Sequence, residues 1–443
     1  MKLKPLKLFL LTILAASCSA QAADLLETYR AAQANDPVFA AARAANQAGQ
    51  EKLSQGRALL MPSINLNANT IFNDQTTNYQ ASSPFSAANG NSRFNTNGYG
   101  VNLVQPLFRA QNWLAYTEAQ LQVAQADAQF KLAEQDLILR VAQNYFDVLI
   151  AQDSVQLVDA QKTAITEQMA QAKRNFEVGT TTITDTLEAQ SRYDLTLAQE
   201  VAAKNTLEVK RSGLQQLTGE IPAVLKPLNS ALKLESPNPA DMEQWVADAQ
   251  NNNPQIVLAQ AGATLAEKEV ARNQSAHLPT LDLVASYAKN SASGGSFGAS
   301  DSSNRNIGVQ LNVPLFQGGA TSSRSREAEA NHERGKQDLE NARRTVTTQT
   351  RQAYLGVVSG MAQVQAFQQA LASSQSLLEA SKLGQEVGIR TNLDVLNAQQ
   401  QLYSTRRDLY QAQYNYLISQ LRLKAAAGSL GEDALSQVNL ALH

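Results

Sequence analysis

Little in this chain is suited to covalent chemistry. Its single cysteine, Cys18, lies in the extreme N-terminal segment, so the remainder has no disulfide, no cysteine nucleophile and no thiolate metal site. The three histidines, His277, His332 and His443, are far apart and none stands at metal-ligand spacing with another. No P-loop appears and no activated serine is expected. The expectation is a protein that is not an enzyme and carries no cofactor or metal. Aromatic residues are only 6% of the chain, and much of the 43% hydrophobic content is alanine. That composition excludes one large greasy core and suits long alanine-rich helices with water-lined surfaces. Positive charge is not in excess: the formal net charge is −2, so no nucleic-acid partner is expected. The N-terminal apolar run, Leu8 to Ala16, is too short to span a bilayer as a helix, which needs about 20 residues.

That first segment reads as a secretory leader. Lys2, Lys4 and Lys7 form a basic start, the apolar run follows, and Ala20-Gln21-Ala22 is a small-x-small cleavage site. Removing residues 1–22 leaves 421 residues and takes three lysines away, for a net charge of −5. A rival reading makes Cys18 a lipidated N-terminus. Ala15 is a poor match there, because a larger aliphatic residue is expected at that place.

The rest of the chain repeats itself. Asp24 opens a stretch ending at Asn35-Asp36-Pro37, and Asp241 opens another ending at Asn252-Asn253-Pro254, 217 residues later. The same offset relates Pro62-Ser63-Ile64-Asn65-Leu66 to Pro279-Thr280-Leu281-Asp282-Leu283. Gly100-Val101-Asn102-Leu103 then matches Gly308-Val309-Gln310-Leu311 at offset 208, so the second copy has a loop nine residues shorter. Val178-Gly179 matches Val387-Gly388 at offset 209, and the match continues through Asp185/Asp394 and Ala189/Ala398. Chance similarity is easy in Ala/Gln-rich helices, but proline, glycine and aspartate punctuation in one order is not.

Each copy carries two strand signals. Ile64, Leu66, Ala68 and Phe72 alternate with polar residues, as do Tyr99, Val101 and Leu103. Leu281, Leu283, Ala285 and Tyr287, then Ile307, Val309, Leu311 and Val313, repeat the pattern. Period-two alternation gives one apolar and one polar face. It fits a transmembrane strand, apolar toward lipid and polar toward a lumen, or a half-buried sheet of a soluble domain. Four strands cannot close a membrane barrel, and open edges are not tolerated in lipid. If these strands lie in a membrane, several chains must share one barrel.

The helices are long. From Leu107 to Val178 there is neither proline nor glycine, 72 residues or about 108 Å as a helix. Steps of four and three run through Ala151, Val155, Val158, Lys162, Ile165, Met169, Ala172 and Phe176, broken at Lys162. A second series passes through Leu393, Leu396, Gln400, Tyr403, Arg407, Tyr410, Tyr414, Leu417 and Leu421, broken at Gln400 and Arg407. Both read as coiled-coil seams. Shorter helices are expected over Val38–Leu60 and Thr184–Thr218. The expected organisation is a leader over 1–22 and a first repeat over 23–218 with strands near 62–73 and 95–106. A linker follows over 219–239, then a second repeat over 240–430 with strands near 279–290 and 304–314, and a tail over 431–443. Helical hairpin turns fall at Val178–Thr182 and Val387–Thr391, with the strand hairpins expected at the far end. Trp113 and Trp245 suit either an interface or simple packing.

These features resemble the TolC family of trimeric outer-membrane efflux and secretion channels. The most specific segments are His277-Leu278-Pro279-Thr280-Leu281-Asp282-Leu283, Val387-Gly388-Ile389-Arg390-Thr391 with Asp394-Val395-Leu396, and Tyr414-Asn415-Tyr416-Leu417-Ile418. The resemblance implies a Gram-negative outer-membrane homotrimer with a large periplasmic portion. Three chains would give a 12-stranded barrel in outer-membrane lipid and a periplasmic α-helical barrel. Here Asp24–Asp36, Gly219–Asn253 and the segment after Leu430 would form a small girdle. Its partners would be a periplasmic adaptor protein and an inner-membrane transporter, with the chain as their passive exit duct in efflux or type I secretion. A periplasmic coiled-coil adaptor without a pore is the competing reading, and lipid-facing strands are what would separate the two.

Thr182-x-x-Asp185 and Thr391-x-x-Asp394 each fit a helix capping box. The resemblance adds that the turns line the periplasmic entrance. Asp394 from three chains would form a carboxylate ring there, and Arg390, Thr184 and Asp185 would join the bonds that hold it shut. Gly179-Thr180 and Gly388-Ile389, in the turns themselves, would meet the adaptor. A second acidic ring and a gating tyrosine of the family fall on Asn397 and Gln385 here, so cation preference is expected to rest mainly on Asp394.

Overall fold

The computed structural model describes residues 23–78, 80, 90–220, 224–229, 234–295 and 298–442. The expected leader with Cys18, the middle of the first strand loop, part of the 219–239 linker and His443 lie outside the described residues. Among the described residues there are nine α-helices and four strands, in this order. Helices α1 (Leu25–Asn35) and α2 (Pro37–Ala58) precede β1 (Ser63–Thr77) and β2 (Gly90–Phe108). Helices α3 (Ala110–Glu177), α4 (Ile183–Thr218), α5 (Met242–Asn252) and α6 (Pro254–Gln274) follow. Strands β3 (Thr280–Ala292) and β4 (Ser300–Asn312) lead to α7 (Ala320–Glu386), α8 (Asn392–Ala426) and α9 (Glu432–Asn439). None of the described helices is long and apolar enough to cross a membrane.

Two compact units result, one of them formed by residues 41–133 and 249–348. Its four strands make one antiparallel sheet in the order β1-β2-β3-β4. The register sorts the side chains. Ile64 faces Leu103, Leu103 faces Ala285 and Ala285 faces Ile307, while Leu283 faces Val309 and Leu281 faces Leu311. Residues directly opposite share a face, so these apolar positions form one continuous surface. On the other face Asn65 meets Asn102, Asn67 meets Gly100, Ser286 meets Asn306 and Asp282 meets Gln310. The apolar stretch is oblique to the hydrogen-bonded rows. On β1 it reaches Phe72, whose row continues through Asn95, yet on β4 it stops at Ile307, in the row of Ile64. A level band across tilted strands needs that offset.

The strands outrun the sequence signal. β1 continues to Thr77 and β2 begins at Gly90, whereas the strands were expected to stop near residue 73 and resume near residue 95. Apart from Phe94 the extension is polar on both faces, so alternation disappears while pairing persists. Asp74 and Arg93 form an ion pair at 3.0 Å, and Asn73 donates to Thr96 Oγ1 at 2.8 Å. β2 also runs past Pro106 to Phe108, with the register shift between Pro106 and Phe108, so α3 starts at Ala110 rather than Leu107. Gly294-Gly295-Ser296-Phe297-Gly298 spells G-x-S-x-G, the pattern of an activated serine, which the sequence analysis does not expect. It sits in the β3–β4 connection, not on a strand-to-helix turn, and Ser296 and Phe297 lie outside the described residues.

The helices of this unit pack through small residues at heptad spacing. A Cβ on Gly49 would overlap that of Ala126, and one on Gly56 would lie 2.7 Å from that of Ala119, so α2 and α3 approach backbone to backbone. Ala249, Ile256 and Ala263, seven residues apart, form a buried cluster with Leu339 and Val346. Arg109 clamps Asp282 through two bonds of 2.7 and 2.6 Å.

The second unit comprises residues up to Ala40, Glu134–Asp248 and from Gln349 onward. The beginning, the linker and the end of the chain meet in it. Asp24 caps α1 in a capping box and accepts from Asn439, while Arg30 pairs with Glu432 of α9 at 2.7 Å. Ala23 bridges Leu225 and Leu228 bridges Leu442. The Tyr145 hydroxyl lies 3.1 Å from the Ala23 carbonyl and 3.0 Å from that of Lys226. The expected linker is thus tied in through its stretch 224–229. Trp245 is buried and donates to the Pro239 carbonyl at 2.7 Å, whereas Trp113, in the other unit, is exposed.

One expected seam is displaced. Leu396 of the expected series is buried, but the series that continues through the middle of α8 is Val395, Ala398, Leu402, Thr405, Leu409, Ala412 and Tyr416. Gln400 and Arg407, the breaks in the expected seam, are exposed on the neighbouring stripe. From Tyr414 to Leu421 the expected positions are buried. On α3 the break at Lys162 is an ion pair: Lys162 Nζ lies 2.5 Å from Glu200 of α4. Phe176, expected in that seam, is exposed.

Candidate functional site

Both helical hairpin turns are built alike. α3 ends in a Schellman motif, with Thr180 N–H donating to the Asn175 carbonyl at 2.8 Å and Gly179 N–H to that of Phe176 at 3.0 Å. α7 ends the same way, through Ile389 to Gly384 at 2.8 Å and Gly388 to Gln385 at 3.1 Å. This closure needs a left-handed residue, and Gly179 and Gly388 supply φ of 77° and 79°. Two residues of turn follow, and the return helix starts from a threonine cap.

The caps are complete boxes. Thr182 Oγ1 accepts from Asp185 N–H at 3.4 Å, and Asp185 Oδ2 accepts from Thr182 N–H at 3.1 Å. Thr391 and Asp394 repeat this more tightly, at 3.2 and 2.9 Å. The Thr391 hydroxyl adds a bond of 2.8 Å to the same carboxylate oxygen. These bonds from Thr391, helped by the charge of Arg390, hold the Asp394 carboxyl below the usual carboxylate range. It is a fixed anion at neutral pH.

The turns differ where the sequence differs. Arg390 Nη1 stands 3.8 Å from Asp394 Oδ1, both partly exposed, and the first turn has Thr181 at the matching place. Within one protomer Arg390 therefore turns to its own cap. Among the described contacts it reaches neither Thr184 nor Asp185. Gln385 donates to Asn392 at 3.3 Å within its own hairpin. Val178, Val387 and Ile389 project apolar side chains into solvent, Ile389 at 81% exposure. Thr180 is pinned by its own hydroxyl bond to the Asn175 carbonyl at 3.0 Å. Sequence reasoning missed one functional-looking contact. Arg192, on α4, bonds to Asn397 and Gln400 of α8.

No group of histidine, cysteine or carboxylate side chains among the described residues could hold a metal ion. What the turns present is fixed charge, capped backbone and exposed apolar tips, which suits a lined opening or a contact surface.

The family model described as Outer membrane efflux protein matches residues 28–220 and 245–429, covering both repeats. The chain is 33% identical to Outer membrane protein TolC of Escherichia coli, over 96% of this chain and 86% of that one. It is also 33% identical to the alkaline protease secretion protein AprF of Pseudomonas aeruginosa, over 94% and 86%. The crystal structure of the outer membrane protein VceC from Vibrio cholerae superposes with a TM-score of 0.77 at 19% identity, over 91% and 96% of the two chains. With both repeats matched and relatives similar over almost the whole chain, the protein belongs to the outer membrane efflux protein family of channel proteins.

Proposed function

We propose that three copies of this chain close one barrel in the outer membrane, and that their helical turns form its periplasmic entrance. The protein is an outer-membrane exit duct of the efflux and secretion type. The observation that carries the trimer reading is the sheet. Its apolar face is uncovered, with Leu66 at 70% and Val309 at 61% exposure, and its outer strands β1 and β4 each leave an edge unpaired within the chain. Lipid covers such a face, and neighbouring copies pair such edges. Exposed Ile183, Leu187, Leu197 and Val201 along α4 offer further apolar contact to neighbouring copies.

The polar sheet face then lines the lumen. Among its described side chains only Asp282 is charged, and Arg109 neutralises it. Ion preference falls to the entrance, where three Asp394 carboxylates would form the ring, with Arg390, Thr184 and Asp185 in its closing bonds. The exposed turns at Gly179, Thr180, Gly388 and Ile389 are the surface for a periplasmic adaptor, which would couple the duct to an inner-membrane transporter. The domain limits read from the sequence, with a cleaved leader over 1–22, belong to the same proposal. Light scattering of the detergent-extracted outer-membrane particle tests the stoichiometry. Three chains per particle are expected, and a monomer overturns the shared barrel. Crosslinking from Thr180→Cys to an adaptor tests the docking surface.

A further inference from the structure

Arg192 is used by none of the roles above. It lies on α4, ten residues beyond the cap Thr182, and belongs to the first hairpin. Its guanidinium donates through Nη2 to Asn397 Oδ1 at 2.9 Å and through Nη1 to Gln400 Oε1. Both acceptors are on α8, in the second hairpin. They stand three residues apart, so they share a face of that helix, and a planar two-armed guanidinium can reach both at once. Behind it, Ile165, Thr196, Leu396 and Gln399 line a narrow crevice between the helices. The side chain therefore leans on a packed wall while its head bridges the gap.

Arg422, near the far end of α8, reaches back to Gln143 of α3 at 3.3 Å, but among the described contacts close to the turns the Arg192 link has no counterpart in the other direction. The repeat places Gln401 where Arg192 stands in the first copy, and Gln401 bonds to Thr405 on its own helix. Among the described contacts, one arginine strut thus lies close behind the turns that carry Asp185 and Asp394, and it runs from the first hairpin to the second. We infer that Arg192 is a positioning residue that ties the two hairpins together and holds the entrance shut. This rests on the reading of the turns as the entrance of a duct. An opening made of two hairpins per chain cannot widen while their relative position is fixed, so a bond between α4 and α8 opposes opening without lining the hole.

Single-channel recording in planar bilayers tests this with wild type, Arg192→Ala, Arg192→Lys, Gln400→Glu and the Arg192→Ala/Gln400→Glu double variant. Losing an exposed hydrogen-bonded link shifts an equilibrium about threefold per protomer, or about thirtyfold when three copies open together. Arg192→Ala is expected to raise open occupancy to that extent, and Arg192→Lys, which keeps the charge but not the fork, to a lesser extent. Gln400→Glu replaces a neutral acceptor with a charged one and is expected to lower open occupancy, an effect that vanishes in the double variant. Unchanged occupancy in Arg192→Ala overturns the inference, as does an equal effect of Gln400→Glu with and without Arg192. A wild-type protein that forms no pores overturns the duct reading itself and this inference with it, an outcome separable from pores that ignore Arg192.

Discussion

A charge placed on one face of the sheet has a different cost from the same charge placed one residue along. Val309 lies in the middle of the apolar stretch of β4, between Ile307 and Leu311 and opposite Leu283. Gln310 points to the other face, opposite Asp282. In lipid, Val309→Arg puts a cation near the bilayer midplane, at a cost of about 2–4 kcal/mol per chain. Three kcal/mol is about a hundredfold in the folding equilibrium, and each of three chains would carry it. Gln310→Arg places its cation in water beside Asp282, where a surface substitution changes stability by about 0.5 kcal/mol or less. Urea titration of the protein in lipid vesicles measures both, with the heat-dissociation temperature of the oligomer as a second readout. Equal destabilisation by the two variants, or the larger effect at Gln310, would refute the assignment of faces.

Other consequences follow from the same geometry. Asp36 is buried and pairs with Arg140 at 2.7 Å, and its carboxylate also caps the Phe39 amide at 3.0 Å. Burial alone would raise its pKa, but Arg140 and the amides outweigh burial and hold it below the usual carboxylate value. The pair therefore stabilises the fold above about pH 4 and loses that contribution as pH falls through the depressed pKa. Arg140→Ala should cost about 2–3 kcal/mol at pH 7, less than a fully buried pair because Arg140 is partly solvated, and thermal melts at pH 7 and pH 3 should show the difference shrinking in acid. At the turn, Thr391→Val removes a hydroxyl bond to Asp394, so its pKa should rise. Cation selectivity should then fade at a higher pH than in wild type, as reversal potentials across a pH series will report. Gly388→Val forces a β-branched residue into φ of 79° and should cost about 1–2 kcal/mol, read as faster proteolysis at the α7–α8 turn.

Some of this was legible in the sequence and some was not, for physical reasons. The capping boxes and turn glycines are local devices, and Thr182, Asp185, Gly388, Thr391 and Asp394 sit where their spacing puts them. The strands are visible only while one face is apolar. Past Phe72 every side chain of β1 is polar, so the pairing of Asp74 with Arg93 carries no periodic signal. In the middle of α8 two adjacent stripes both keep heptad spacing, one through Gln400, Tyr403 and Arg407 and one through Leu402, Thr405 and Leu409. Which stripe is buried depends on the neighbouring helices, such as Ser374 of α7, whose hydroxyl meets Thr405 at 3.4 Å. Arg192 is the extreme case. Its partners are 205 and 208 residues away, and nothing local marks them.

The most direct test of the account is ion conduction by the purified protein in a planar bilayer, compared with Asp394→Ala. A duct whose sheet lining is neutral and whose entrance holds the Asp394 ring predicts cation-selective pores. In Asp394→Ala the selectivity should fall or the conductance rise. Absence of pores would contradict the duct, and pores indifferent to Asp394 would contradict the place assigned to its entrance.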